Sequence, residues 1–134
     1  MALACELAAV RQRADFRCEY CHAPEEVLGY ALHVEHIVPR SKGGKDALSN
    51  YALACMPCNR AKSDHVSGVD AVTGKSSRLF NPRRDSWRTH FEITNRFEIH
   101  GKTAIGRATE ARLRLNHARQ LAARRIWAEL GYFP

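Results

Sequence analysis

Apolar and polar residues change period several times along the chain, and each change marks an element. Leu3, Leu7 and Val10 recur at helical spacing, and nothing breaks residues 2–14, so this stretch predicts a helix. Residues 16–24 read as a tight turn. Residues 31–34 predict a short β segment, with Glu35-His36-Ile37 at its end. The loop 39–45 (PRSKGGK) carries two turn-forming glycines, and residues 51–54 predict a second β segment. A short helix is expected from Asn59 to about Ser63.

The second half has a different texture. Residues 67–77 (SGVDAVTGKSS) have the composition of a flexible linker. Residues 91–93 and 97–99 predict a hairpin around Thr94-Asn95-Arg96, with Trp87 and Phe91 as core. From about Ile105 the tail is helical, and Ala108, Ala111, Leu115, Ala118, Ala122 and Ile126 fall on one stripe, with Arg112, Arg119 and Arg124 off it. Asn116-His117 marks a candidate break, and Gly131 a C-terminal stop.

Length and composition suit one compact domain, or a small domain with an extension: the chain has 134 residues. No apolar run reaches the roughly 18 residues that a membrane helix needs. Residues 1–10 are short on basic side chains and lack a clear cleavage site, so no secretory leader is read, which favours the cytoplasm. The net charge of +7 is unevenly spread. Residues 1–77 hold nine Lys/Arg and nine Asp/Glu, whereas residues 78–134 hold twelve and five and so carry the whole excess. A basic half of this kind fits a polyanionic partner, or else a solvated arginine-rich helix face.

Five cysteines sharpen the picture. Cys18/Cys21 and Cys55/Cys58 form two C-x-x-C pairs, and Cys5 is left over on the first helix, where it reads as packing. Each C-x-x-C turn sets two sulfurs on one side of an ion, and two turns close a tetrahedral zinc site with no open position, hence a structural one. Little apolar material separates Cys21 from Cys55, so a metal crosslink stands in for a core. Disulfides or a redox pair are the alternatives; a redox motif would sit singly near a βαβ pattern, which is absent.

Between the pairs lies the stretch His33-Val34-Glu35-His36-Ile37-Val38-Pro39-Arg40-Ser41-Lys42-Gly43-Gly44, then Asn50, then Cys55-Met56-Pro57-Cys58-Asn59-Arg60-Ala61-Lys62. Over residues 11–63 this ordered set resembles the HNH endonucleases whose ββα-metal (His-Me) finger is framed by two C-x-x-C pairs. The resemblance implies an α+β fold: the ββα finger and its four-cysteine knuckle within residues 1–66, behind the N-terminal helix. A basic hairpin-plus-helix extension over 67–134 would pack on the finger and contact DNA. It implies hydrolysis of DNA phosphodiesters, in the form of nicks, with one Mg²⁺ or Mn²⁺ besides the structural Zn²⁺. Glu35 matches the first ligand of the catalytic metal, His36 the general base, Asn50 the middle Asn that ties the loop, and Asn59 the second metal ligand. A further His ligand of some members is replaced here by Ser63.

The chemistry agrees. Carboxylate and amide oxygens suit a hard divalent ion, and a neutral imidazole can take a proton from water near neutral pH. Each residue also has a plainer reading: Glu35 as a surface carboxylate, His36 as a structural histidine, Asn50 as a turn cap and Asn59 as a helix N-cap. His33 is left structural or DNA-facing. Arg40, Lys42 and Lys62 near the site, with Arg83, Arg84 and Arg107 in the extension, are the candidate DNA contacts. The rival function is a non-catalytic zinc module that binds nucleic acid; it would have no need of Glu35, His36, Asn50 and Asn59 together. Cys58→Ser is expected to unfold the finger, and unchanged zinc content and thermal stability in that variant would count against the knuckle.

Overall fold

A computed structural model describes residues 3–134. The elements run α1 (Ala4–Arg13), β1 (His33–His36), β2 (Tyr51–Ala54), α2 (Met56–Lys62), β3 (Ser67–Val69), β4 (Ser76–Arg78), α3 (Trp87–His90), β5 (Phe91–Ile93), β6 (Ile99–Gly101), α4 (Ala104–Leu113) and α5 (Ala118–Glu129). The class is α+β, with three two-stranded antiparallel hairpins and short helices. Among the described residues, no helix is long and apolar enough to cross a membrane.

The finger is the continuous run β1–β2–α2. Strand β1 pairs with β2 so that Glu35 faces Ala52 and His36 faces Tyr51. Every residue of β2 is buried, between its partner strand, α1 and the first cysteine turn. That turn docks on the strand directly: Glu19 N–H donates to the Leu53 carbonyl at 2.8 Å, and the Glu19 carboxylate accepts from Leu53 N–H at 2.8 Å. Helix α2 starts at the second cysteine pair, with Cys55 as its N-cap and Pro57 in its first turn, where a missing N–H costs nothing. Asn59 therefore lies inside the helix rather than capping it.

Sequence periodicity misplaces several segments. Residues 67–77 are not a linker but the β3–β4 hairpin, which packs on α4. Its turn is closed by Asp70, fully buried, which accepts from the Thr73 hydroxyl and forms a two-pronged ion pair with Arg107. The guanidinium holds the Asp70 carboxyl well below the ordinary carboxylate range. The C-terminal stripe is also interrupted. Arg114 adopts a left-handed conformation that ends α4, so α5 restarts in a new direction and Ile126 is exposed while Arg124 is buried. Arg124 donates to the carbonyls of Phe97 and Leu115 and to the Asn116 side chain, capping groups that no helix or strand satisfies. In α1 only Val10 is buried; Leu3, Leu7 and Cys5 lie on the surface, so Cys5 has no packing role.

One core joins the two halves. Phe80 meets Tyr20 edge-on and packs on Phe91, while the Trp87 indole donates to the Tyr20 carbonyl at 2.9 Å. Arg83 pairs with Glu19. Helix α4 crosses β6 backbone to backbone: a Cβ on Gly106 would lie 2.1 Å from the His90 carbonyl oxygen, and one on Gly101 2.4 Å from the Arg107 nitrogen. Helix propensity alone favours alanine over glycine by about 1 kcal/mol, but overpacking against fixed backbone costs up to about 3 kcal/mol. Gly106→Ala is therefore expected to lose roughly 2 kcal/mol in urea unfolding; a neutral or stabilised variant would mean that this crossing is not tight.

Candidate active site and metal centre

The four sulfurs of Cys18, Cys21, Cys55 and Cys58 lie within 4.8 Å of one another, and all four residues are buried. Cys21 and Cys55 sulfurs are 3.6 Å apart. Zn–S bonds of about 2.3 Å put tetrahedral sulfurs roughly 3.8 Å apart, so the cluster fits a zinc ion with only small adjustments. Protonation tells the same story. Hydrogen bonds from Cys18, Cys55 and Cys58 hold the Cys21 thiol well below its ordinary range. Hydrogen bonding to Cys18 and Cys21 pushes Cys55 and Cys58 far above it. One thiolate shares its neighbours' protons, the role a dication would take over. His22 stacks on Trp87 with ring centroids 4.1 Å apart, and burial pushes it down to about 4, so it stays neutral beside a site already complete in sulfur.

Strand alternation separates the two central residues of the motif. Glu35 points inward and is 7% exposed, whereas His36 points to the open side. On the inner face, the Tyr20 hydroxyl donates to Glu35 Oε1, and Lys62 Nζ donates to Oε2 at 3.0 Å and to the His36 carbonyl at 3.1 Å. Burial raises the Glu35 pKa, with the Lys62 charge and the Tyr20 hydrogen bond acting against it. Asn59 stands one turn before Lys62 on the same helix face. Its side-chain amide makes no hydrogen bond among the described residues. A carboxylate has about four acceptor positions, two of them used here, so Glu35 and Asn59 retain oxygen donors of the type that suits Mg²⁺ or Mn²⁺.

On the outer face, His36 Nε2 lies 2.7 Å from Asp46 Oδ1, and the ring meets Tyr51 edge-on at 5.3 Å. Asp46 also receives both prongs of Arg40, each at 2.8 Å. Arg40, then His36, hold Asp46 well below the usual carboxylate range. An ionised Asp46 can only accept, so His36 Nε2 is the donor, and in the neutral form of the ring Nδ1 is left as the acceptor. Asn50 closes the loop between these partners. Its Oδ1 accepts from Val38 N–H at 2.9 Å, and its Nδ2 donates to the carbonyls of Val38 and Lys45 at 2.9 and 3.0 Å. Gly44 allows this closure, since a Cβ there would lie 1.7 Å from the Val38 oxygen.

The basic residues expected at DNA divide into two groups. Arg40 and Lys42 are exposed beside the site; Lys42 donates to the Asp64 carbonyl at 2.8 Å. Arg84 is exposed on a cleft of about 220 Å³ that it shares with Ile37, Val38 and Lys62. Lys62, Arg83 and Arg107 do other work. Lys62 is buried against Glu35, Arg83 pairs with Glu19, and Arg107 pairs with Asp70. Sequence reading missed Asp46 and Tyr20. Both are common residues in a loop and a turn, and only the fold brings them to His36 and Glu35.

A buried carboxylate stripped of its ammonium is costly. Lys62→Met is expected to lose about 3–5 kcal/mol, and adding Glu35→Gln should restore most of it. The sign with pH follows from the raised Glu35 pKa. The loss relative to wild type is full above the folded pKa of Glu35 and shrinks as pH falls through it, when the carboxyl takes up a proton. Urea unfolding of wild type and both variants at alkaline and mildly acidic pH checks this, and a loss of under about 1 kcal/mol would show that Lys62 is not the counter-ion.

A family model described as HNH endonuclease matches residues 18–65. No curated protein and no solved structure matches the chain. A match to this family implies a nucleic-acid substrate. The matched segment opens at the first knuckle cysteine and closes just past the helix that carries Asn59, so it is residues 18–65 that match the HNH endonuclease family.

Proposed function

We propose that the protein is a metal-dependent endonuclease that hydrolyses DNA phosphodiester bonds, leaving nicks, with His36 as general base. The observation that carries the reading is the His36–Asp46–Arg40 relay on the open face of β1. A histidine that served only packing would have no need of a carboxylate fixed by its own arginine. Asp46 orients the imidazole, and Nδ1 takes a proton from a water poised on the open side. The resulting imidazolium is stabilised by Asp46 across the same hydrogen bond. Asn50 keeps the loop, and with it Asp46, at a fixed distance from the strand.

Glu35 and Asn59 would hold the divalent ion, which supplies charge at the phosphorane and the leaving 3′ oxygen. The Glu35 carboxylate lies on the inner side of β1 and His36 on the open side, so base and metal would approach one phosphate from different sides. The ammonium of Lys62 competes with a dication for Glu35, and this favours a loosely held, exchangeable metal. Residues 1–66 would carry out the chemistry, and 67–134 would hold the substrate.

A plasmid-nicking assay tests the proposal. Protein freed of loosely bound metal, with Mg²⁺ or Mn²⁺ restored, is expected to nick, and His36→Ala to lose that activity while keeping zinc and DNA binding. Full activity in His36→Ala would remove the general base. If wild type shifts DNA on a gel but never cuts, with either metal, a zinc-containing nucleic-acid-binding module becomes the better description.

A further inference from the structure

Five of the sixteen arginines are paired with a carboxylate among the described residues. Arg11 pairs with Glu25, Arg40 with Asp46, Arg78 with Asp85, Arg83 with Glu19 and Arg107 with Asp70. Three of these pairs, at Arg78, Arg83 and Arg107, tie up part of the basic charge of the second half. One region gathers unpaired arginines. Between α2 and the α4–α5 junction runs a groove of about 610 Å³, with Arg60, Arg112, Arg114 and Arg119 on its walls and Met56 and Pro57 among its apolar lining. No carboxylate lines it. Arg112 donates to the neutral Ser67 carbonyl at 3.2 Å, and Arg60, Arg114 and Arg119 are exposed and form no ion pair among the described residues.

We propose that this groove is a second nucleic-acid contact, which takes the phosphate backbone of the duplex flanking the scissile bond. Three features favour a linear polyanion over a small one. The four guanidiniums come from α2, α4, the α4–α5 junction and α5, so they line a path rather than a point. Guanidinium forks match phosphate oxygens and are less strongly hydrated than ammonium groups. The groove also borders the helix of the proposed metal ligand. Arg60 follows Asn59 in α2, about 1.5 Å further along the helix axis, so one helix carries both a proposed metal ligand and a proposed phosphate contact. The break at Arg114, two residues before the Asn116-His117 break expected from the sequence, turns α5 and brings Arg119 to the groove wall. Phosphate contacts of this kind fix position and register without reading bases, so the groove would add affinity and salt dependence, not sequence preference.

The inference rests on the nuclease reading, and its test separates the two. Binding to a duplex several turns long is measured against salt, in a His36→Ala background, for Arg114→Gln/Arg119→Gln and for Arg125→Gln. Arg125 is exposed on α5 but outside the groove lining. The double variant is expected to bind roughly tenfold more weakly at moderate ionic strength, with a salt slope shallower by about 1.8, or about 0.9 for each lost phosphate contact. Zinc content and thermal stability should be unchanged, and Arg125→Gln should bind like its parent. Unaltered affinity and slope in the double variant would overturn the proposal, as would an equal loss in Arg125→Gln, which would mean diffuse charge. If the double variant loses stability, Arg119→Gln alone carries the test, with half the change in slope expected. Wild-type protein that never cuts, with the variant still losing affinity, would leave the groove standing and remove the nuclease; wild-type cutting with unaltered variant binding would do the reverse.

Discussion

Four buried sulfurs hold the finger together, and most of the site geometry descends from them. Cys18 and Cys21 come from the turn after α1, Cys55 and Cys58 from the junction of β2 and α2. Bringing them together fixes three things at once: the turn that carries Tyr20, the strand that pairs with β1, and the first turn of α2. Structural zinc in isolated fingers contributes on the order of 10–16 kcal/mol, comparable with the whole net stability of a domain, about 5–15 kcal/mol. A strand pair of four residues each could not hold its register alone. With the knuckle closed, it needs only a few apolar partners. Val10 on α1 supplies one, and Tyr51, Leu53 and Tyr20 supply the rest.

The second half then completes what the finger cannot bury. Tyr20 lies between the knuckle and Glu35, and Phe80 and Trp87 from beyond the β3–β4 hairpin cover it. The carboxylate of Glu19 receives Leu53 from the finger and Arg83 from the extension, so one acidic side chain joins strand, cysteine turn and C-terminal half. This explains why Arg83, which looked like a DNA contact in the sequence, is an internal clamp, as Arg107 is within the extension. Their charge is used to satisfy largely buried carboxylates, where water is scarce and an unpaired acid would be expensive.

Legibility in the sequence followed the range of the interactions. The cysteine pairs, β2 and the order β–β–α could be read directly, because turn chemistry and ligand spacing are local signals. The flexible-linker reading of 67–77 failed because its small polar residues look unstructured until Asp70 is seen to meet Arg107, 37 positions away. The C-terminal stripe failed differently. An apolar period continued through Arg114, but a left-handed residue reset the helix phase, so Ile126 lost its place inside and Arg124 gained one. In the site, His36 and Glu35 were visible as a pair, whereas their partners were not. Asp46 and Lys62 are ordinary charged residues until a loop closed by Asn50 and a helix started by Cys55 bring them within reach.

The alternation of β1 gives the clearest account of how this small site works as a unit. Adjacent residues on a strand face opposite ways, so Glu35-His36 places a carboxylate in the interior and an imidazole on the surface with no special backbone. The two environments give the pair different partners. Burial raises the Glu35 pKa, so the carboxylate needs a cation, and Lys62 supplies one in this arrangement. His36 lies on the open side, where its Nε2 meets Asp46, itself held by both prongs of Arg40. The Lys62 ammonium bonds both the Glu35 carboxylate and the His36 carbonyl. Any change in how Glu35 is neutralised is thus felt in the backbone that carries the histidine, and the inner and outer halves of the site are coupled through a single peptide unit.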